Sequence, residues 1–133
     1  MNDFPKRKAI SKKIRAEVYA KCNGRCAYCG CELEMKEMQV DHLISVYKEQ
    51  YETRLGNSIA GNHIDNLMPS CRQCNFYKGA NNLELFRMQL QTLMKRVKKP
   101  LQYRLAHKYG MVQETEWDGK FYFEHLQEKQ SNK

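Results

Sequence analysis

Two pairs of cysteines, Cys26/Cys29 and Cys71/Cys74, carry the sharpest chemical signal in the chain. Each pair is a C-x-x-C step, and two intervening residues let both thiolates face one ion. Two such knuckles complete a tetrahedral shell of four sulfurs, a common arrangement for structural zinc. A redox role fits less well, because two pairs occur and neither sits in a thioredoxin-like strand–motif–helix context. Cys22 and Cys31 offer competing sulfurs. C-x-x-C makes the tighter knuckle, so Cys22 is assigned to the buried face of a helix and Cys31 to a turn, both as small hydrophobes. Between the pairs lie Asp41-His42 and Asn66, and Asn75 directly follows the second pair. Of these side chains, histidine is the one able to take up a proton at cellular pH.

Local sequence specifies the elements that must position these groups. Ser11 predicts a helix N-cap, Ile10, Ile14 and Val18 repeat at helical spacing, and Asn23-Gly24 stops the helix after about Cys22. A short apolar run over residues 38–44, around Asp41-His42, reads as a strand running into a turn. Residues 47–63 form a long polar connection rich in Gly and Asn. Asn66-Leu67-Met68 reads as a second strand ended by Pro69, with Ser70 as N-cap of a helix over 71–79. A further helix is expected over 83–98, with Leu85, Met88, Leu93 and Val97 on one face and Pro100 at its end. A short helix follows over 102–109. Asp118-Gly119 and Phe121-Tyr122-Phe123 predict a C-terminal strand over 117–126. No internal repeat is present. The organisation is a basic N-terminal arm over 1–10, a core over 11–86, a helical and strand extension packed on it over 87–126, and a frayed tail over 127–133.

With 133 residues the chain fits one domain whose modest core profits from a metal staple. Its net charge of +8 and pI of about 9.2 favour a polyanionic partner, nucleic acid being the commonest. The charge is clustered: Lys6, Arg7, Lys8, Lys12, Lys13 and Arg15 crowd the start, and Lys95, Arg96, Lys98, Lys99, Arg104 and Lys108 form a second block. The start lacks the apolar run of a signal peptide, and no stretch approaches the roughly 20 apolar residues of a membrane span. A cytoplasmic location without membrane contact is expected, where cysteines bind metal rather than form disulfides.

Taken in order, Cys26-Ala-Tyr-Cys29-Gly30, Val40-Asp41-His42, Asp65-Asn66-Leu67-Met68-Pro69, Cys71-Arg-Gln-Cys74-Asn75 and Lys78-Gly79 resemble the HNH endonucleases over residues 10–86. The resemblance implies an α+β fold, in which a small ββα-metal core is stapled by the four-cysteine zinc site and carries flanking helices. It implies Asp41 and Asn75 as ligands of a catalytic divalent ion (Mg2+, or another such as Mn2+ or Ni2+), His42 as general base, and Asn66 as the anchor that orients the imidazole. Lys78 would hold a phosphate. Two departures stand out: the third motif letter is Asn75 rather than His, and the connection from His42 to Asn66 is longer than in compact members. That connection carries Tyr47, Lys48, Tyr51 and Arg54, which either line DNA or belong to a solvated loop.

The chemistry is coherent on physical grounds. Phosphodiester hydrolysis needs a base for the attacking water and positive charge on the developing oxyanion and leaving oxygen. A zinc closed by four sulfurs has no open position and is structural. The expected partner is DNA, gripped through phosphates by Lys12, Lys13, Arg15, Arg54, Lys95, Arg96, Lys98 and Lys99, and a homodimer would present two sites to two strands. His63 lies near Asn66 and reads as an exposed loop histidine or a further site group. The alternative is a non-catalytic zinc module that binds nucleic acid. Such a module needs the charge and the cysteines but not Asp41, His42, Asn66 and Asn75. A zinc-finger interaction domain is disfavoured, since the basic blocks would restrict it to acidic partners.

Overall fold

Helix α1 (Lys12–Lys21) begins where Ser11 Oγ accepts the Ile14 backbone N–H at 3.2 Å. It stops at Asn23 and Gly24, whose φ angles of 56° and 74° are left-handed conformations that these residue types adopt at least cost. The computed structural model describes residues 9–44 and 63–131. The expectations for Lys6, Arg7, Lys8, Tyr47, Lys48, Tyr51 and Arg54 lie outside the described residues.

Strands β1 (Gln39–His42) and β2 (Leu67–Ser70) pair antiparallel, with Gln39 opposite Ser70 and His42 opposite Leu67. Pro69 does not end β2 as expected but lies within it, opposite Val40. A two-stranded sheet is all edge, so the missing N–H is tolerated, and the Pro69 carbonyl accepts the Ala27 N–H at 2.8 Å. Because β2 runs through Ser70, the cap of helix α2 (Arg72–Lys78) shifts by one residue. Cys71, not Ser70, occupies it, and its Sγ accepts the Cys74 N–H.

The helix expected over 83–98 is two helices, α3 (Leu83–Gln91) and α4 (Leu93–Val97). At the break Thr92 Oγ1 donates to the Met88 carbonyl at 2.9 Å, competing with the helical ladder. Helix α5 (Leu101–Lys108) follows Pro100. The C-terminal strand is a correction: residues Tyr122–Ser131 form helix α6, which also takes in most of the tail expected to fray. Glu124 carries the reason. Its carboxylate accepts the Phe121 N–H at 2.9 Å from three residues on, a reach-back that starts helices and outweighs the β preference of three aromatics.

The core gathers Val18 of α1 and Cys22 just after it, Leu67 and Met68 of β2, Phe86 of α3, and Phe121. Tyr28 packs edge-on against Phe86 and Phe121, at 5.4 Å between centroids in each case. No helix among the described residues is long and apolar enough to cross a membrane.

Candidate metal and catalytic centre

The two C-x-x-C steps meet because the first knuckle is stitched to β2. After α1, Cys26 N–H donates to the Cys31 carbonyl at 2.9 Å, and Gly30, at φ +79°, turns the chain back. The Ala27–Pro69 bond then sets this knuckle beside the strand that delivers Cys71 and Cys74. The sulfurs of Cys26, Cys29, Cys71 and Cys74 all lie within 4.8 Å of one another, and Cys29 Sγ is 3.9 Å from Cys71 Sγ. A tetrahedron with Zn–S bonds of about 2.3 Å has edges of about 3.8 Å, so the donor set fits zinc. Packed together, these groups resist joint ionisation. The Cys74 thiol donates to Cys26 and lowers its pKa, the same bond raises that of Cys74, and burial pushes Cys29 up to about 12. A cation at their centre reverses that order, because a coordinated thiol gives up its proton. Cys22 is buried, as expected, and burial raises it to about 11, whereas Cys31 is exposed on the knuckle.

Strand β1 presents alternate side chains to opposite faces. Gln39 and Asp41 meet α2: Asn75 Nδ2 donates to Gln39 Oε1 at 2.6 Å, and Lys78 Nζ lies 3.0 Å from Asp41 Oδ2. The same Asp41 oxygen accepts the Tyr28 hydroxyl. Desolvation, reinforced by the Asp41 charge, pushes the Tyr28 phenol well above 10, which keeps it a donor. His42 follows as the last residue of β1, largely buried, with Lys78 donating to its carbonyl at 3.2 Å. Beyond it, Asn66 Oδ1 accepts the Ile44 N–H at 2.7 Å, its Nδ2 donates to the Ile44 carbonyl, and its own carbonyl accepts the Leu43 N–H. Asn66 thus ties down the chain immediately after His42. The oxygen-bearing pair Asp41 and Asn75 suits a hard divalent ion, which would share the Asp41 carboxylate with the Lys78 ammonium.

Four of the basic residues expected to grip phosphates have partners within the protein. Lys78 has 0% relative exposure, so its ammonium meets Asp41 rather than a phosphate at the surface; a buried charge requires such a partner. Arg15 donates to the Met35 and Met38 carbonyls and holds their loop to α1. Arg96 donates to Gln89 O, Thr92 Oγ1 and Tyr77 Oη, bracing the α3–α4 break, and Lys98 pairs with Glu114 at 2.9 Å. Lys12, Lys13, Lys95 and Lys99 are exposed. His63 Nδ1 accepts the Asp65 N–H and caps the turn Ile64–Asn66.

Sequence reasoning passed over Tyr28 and Gln39. The signal for Gln39 was present, two residues before Asp41 on a strand and therefore on its face. For Tyr28 only its place between two cysteines of the cluster pointed inward. Lys21, likewise unassigned, donates to the Ile64 and Leu67 carbonyls and secures the entry to β2.

Residues 26–81 match the HNH endonuclease family. The chain is 34% identical over 71 residues to the Septu protein PtuB of Bacillus thuringiensis, a match covering 52% of this chain and 24% of that relative. It is also similar to the crystal structure of the type II-C Cas9 enzyme from Actinomyces naeslundii, at 20% identity and a TM-score of 0.46, over 66% of this chain and 9% of that one.

Proposed function

We propose that this chain, whose residues 26–81 match the HNH endonuclease family, is a metal-dependent endonuclease that hydrolyses DNA phosphodiester bonds, with His42 as general base and a structural zinc on Cys26, Cys29, Cys71 and Cys74. One observation carries the reading: β1 sets Asp41 against α2, which bears Asn75, and ends on His42, the very next residue. A binding module has no use for that arrangement.

Asp41 and Asn75 hold the divalent ion, which when bound supplies Lewis acidity to the phosphate and charge for the leaving oxygen. His42 takes the proton of the attacking water at an imidazole nitrogen. Asn66 fixes the backbone just beyond that residue, and Lys78 fixes its carbonyl. The main chain of the buried His42 is therefore held at its own carbonyl and again at the two residues that follow, which limits the search for a productive angle. Exposed Lys12, Lys13, Lys95 and Lys99 grip phosphates without reading bases.

Supercoiled plasmid incubated with the protein and Mg2+, Mn2+ or Ni2+ tests the reading. Metal-dependent nicking or linearisation is expected, abolished by EDTA and reduced at least about 100-fold by His42→Ala, with zinc content retained. Nicked versus linear product distinguishes cleavage of one strand from cleavage of both. Undiminished cutting by His42→Ala would remove its role as base. Salt-sensitive binding without cutting by any ion would favour the non-catalytic module.

A further inference from the structure

The two oxygen ligands assigned above each have one neighbour that no functional role yet explains. We propose that Tyr28 and Gln39 are positioning residues for the divalent ion, Tyr28 locking the Asp41 carboxylate and Gln39 locking the Asn75 amide. The inference rests on the nuclease reading and concerns how its ion site is held.

Tyr28 is gripped from three sides. Its backbone lies between Cys26 and Cys29, inside the zinc knuckle, and its carbonyl accepts the Tyr122 N–H at 3.1 Å. Its ring is wedged against Phe86 and Phe121, and the residue is 4% exposed. The hydroxyl at the end of this rigid assembly donates to Asp41 Oδ2, the oxygen that also meets the Lys78 ammonium. Two donors converging on one oxygen oppose rotation of the carboxylate. The lock on Asp41 is thus built on the same knuckle that supplies two of the four clustered cysteines.

Gln39 acts on the other ligand. An asparagine amide can offer a divalent ion either its oxygen, which binds, or its NH2, which repels. The Nδ2–Oε1 bond at 2.6 Å occupies the amide nitrogen and leaves the oxygen as the atom available to the ion. Gln39 is two residues from Asp41 on the same strand, so both locks converge on the surface between β1 and α2. Partners of this kind, which touch ligands rather than the ion, typically change metal affinity or activity by about 10–100-fold when removed.

Tyr28→Phe and Gln39→Met test the proposal, since each removes the polar contact and keeps the bulk. Mn2+ binding to the zinc-loaded full chain, without nucleic acid, is read from the electron paramagnetic resonance signal of free Mn2+, with Asp41→Asn as control. Wild type should bind one Mn2+ that Asp41→Asn loses. Each variant should raise the Mn2+ dissociation constant about tenfold or more, with zinc content and melting temperature close to wild type. In plasmid cleavage both should lose more rate at low Mn2+ than at saturation. Variants that bind Mn2+ like wild type, while Asp41→Asn does not, would overturn the proposal and leave the nuclease reading standing. Loss of zinc or of folding in Tyr28→Phe would make Tyr28 a structural residue and overturn its part, and Gln39→Met would still decide the other. Equal Mn2+ binding by wild type and Asp41→Asn would remove the ion site itself, and the proposal with it.

Discussion

Removing the Lys78 ammonium would strand the Asp41 carboxylate in a site where the two side chains are 0% and 6% exposed. Breaking a buried ion pair from one side costs about 3–5 kcal/mol, because the remaining charge stays desolvated. Lys78→Met should therefore lower unfolding stability by that order, read from denaturant midpoints, and Lys78→Met/Asp41→Asn should recover part of it. A cost no larger than that of Lys95→Met, on the surface, would refute the buried pair. The same residue illustrates what spacing alone conveys. Three residues after Asn75 on a helix, Lys78 shares the face that carries Asn75. That shared face was legible; which anion waits there was not, because Asp41 arrives from a strand more than thirty residues away.

Helix α6 is held to α3 by one bidentate contact, an arrangement that belongs to the level of elements. Arg87 donates through its two terminal nitrogens to Glu124 at 2.7 and 2.8 Å and also reaches the Gly119 carbonyl, while its guanidinium lies over the Phe121 ring. The Arg87 bond holds the Glu124 carboxyl below its usual 4.5. A depressed carboxylate contributes stability that is present above its unfolded value and lost as pH falls through the folded one. Glu124→Gln should then cost about 1–2 kcal/mol at neutral pH. The gap to wild type should close as pH drops below about 4.5, checked by denaturant unfolding across that range. A gap that persists unchanged at pH 3 would refute the ionic origin. The C-terminal strand expected from three consecutive aromatics fails at this level. Strand preference reflects packing on a sheet, and here the ring of Phe121 packs among Tyr28 and Phe86 beside Arg87 instead.

At the scale of the whole molecule, the four-cysteine site joins segments that the sequence keeps far apart, α1's exit and α2's entry. Cys26→Ser or Cys74→Ser should give zinc-poor protein with a lowered melting temperature, and chelators or acid should act the same way, since protons compete for the thiolates. Unchanged zinc stoichiometry and melting in both would refute the site. DNA binding should weaken steeply with salt, and Lys95→Ala or Lys99→Ala should each reduce the slope of log affinity against log salt by about 1, uniformly across sequences. Arg15→Ala and Lys98→Ala should alter it less, as these side chains already have protein partners. A flat salt response would contradict phosphate gripping altogether.

By itself the sequence determined the ligand-bearing motifs, the α1 cap at Ser11, the two short strands and the likeness that ordered them, because residue type, spacing and capping are local properties of the chain. Tertiary structure decided where the charges go. Lys78 turned inward to Asp41, Arg15 to the carbonyls of residues 35 and 38, and Tyr28 to the same Asp41 oxygen. Whether a basic group meets a phosphate or a buried carboxylate depends on which distant segment is packed against it, and only the assembled fold supplies that neighbour.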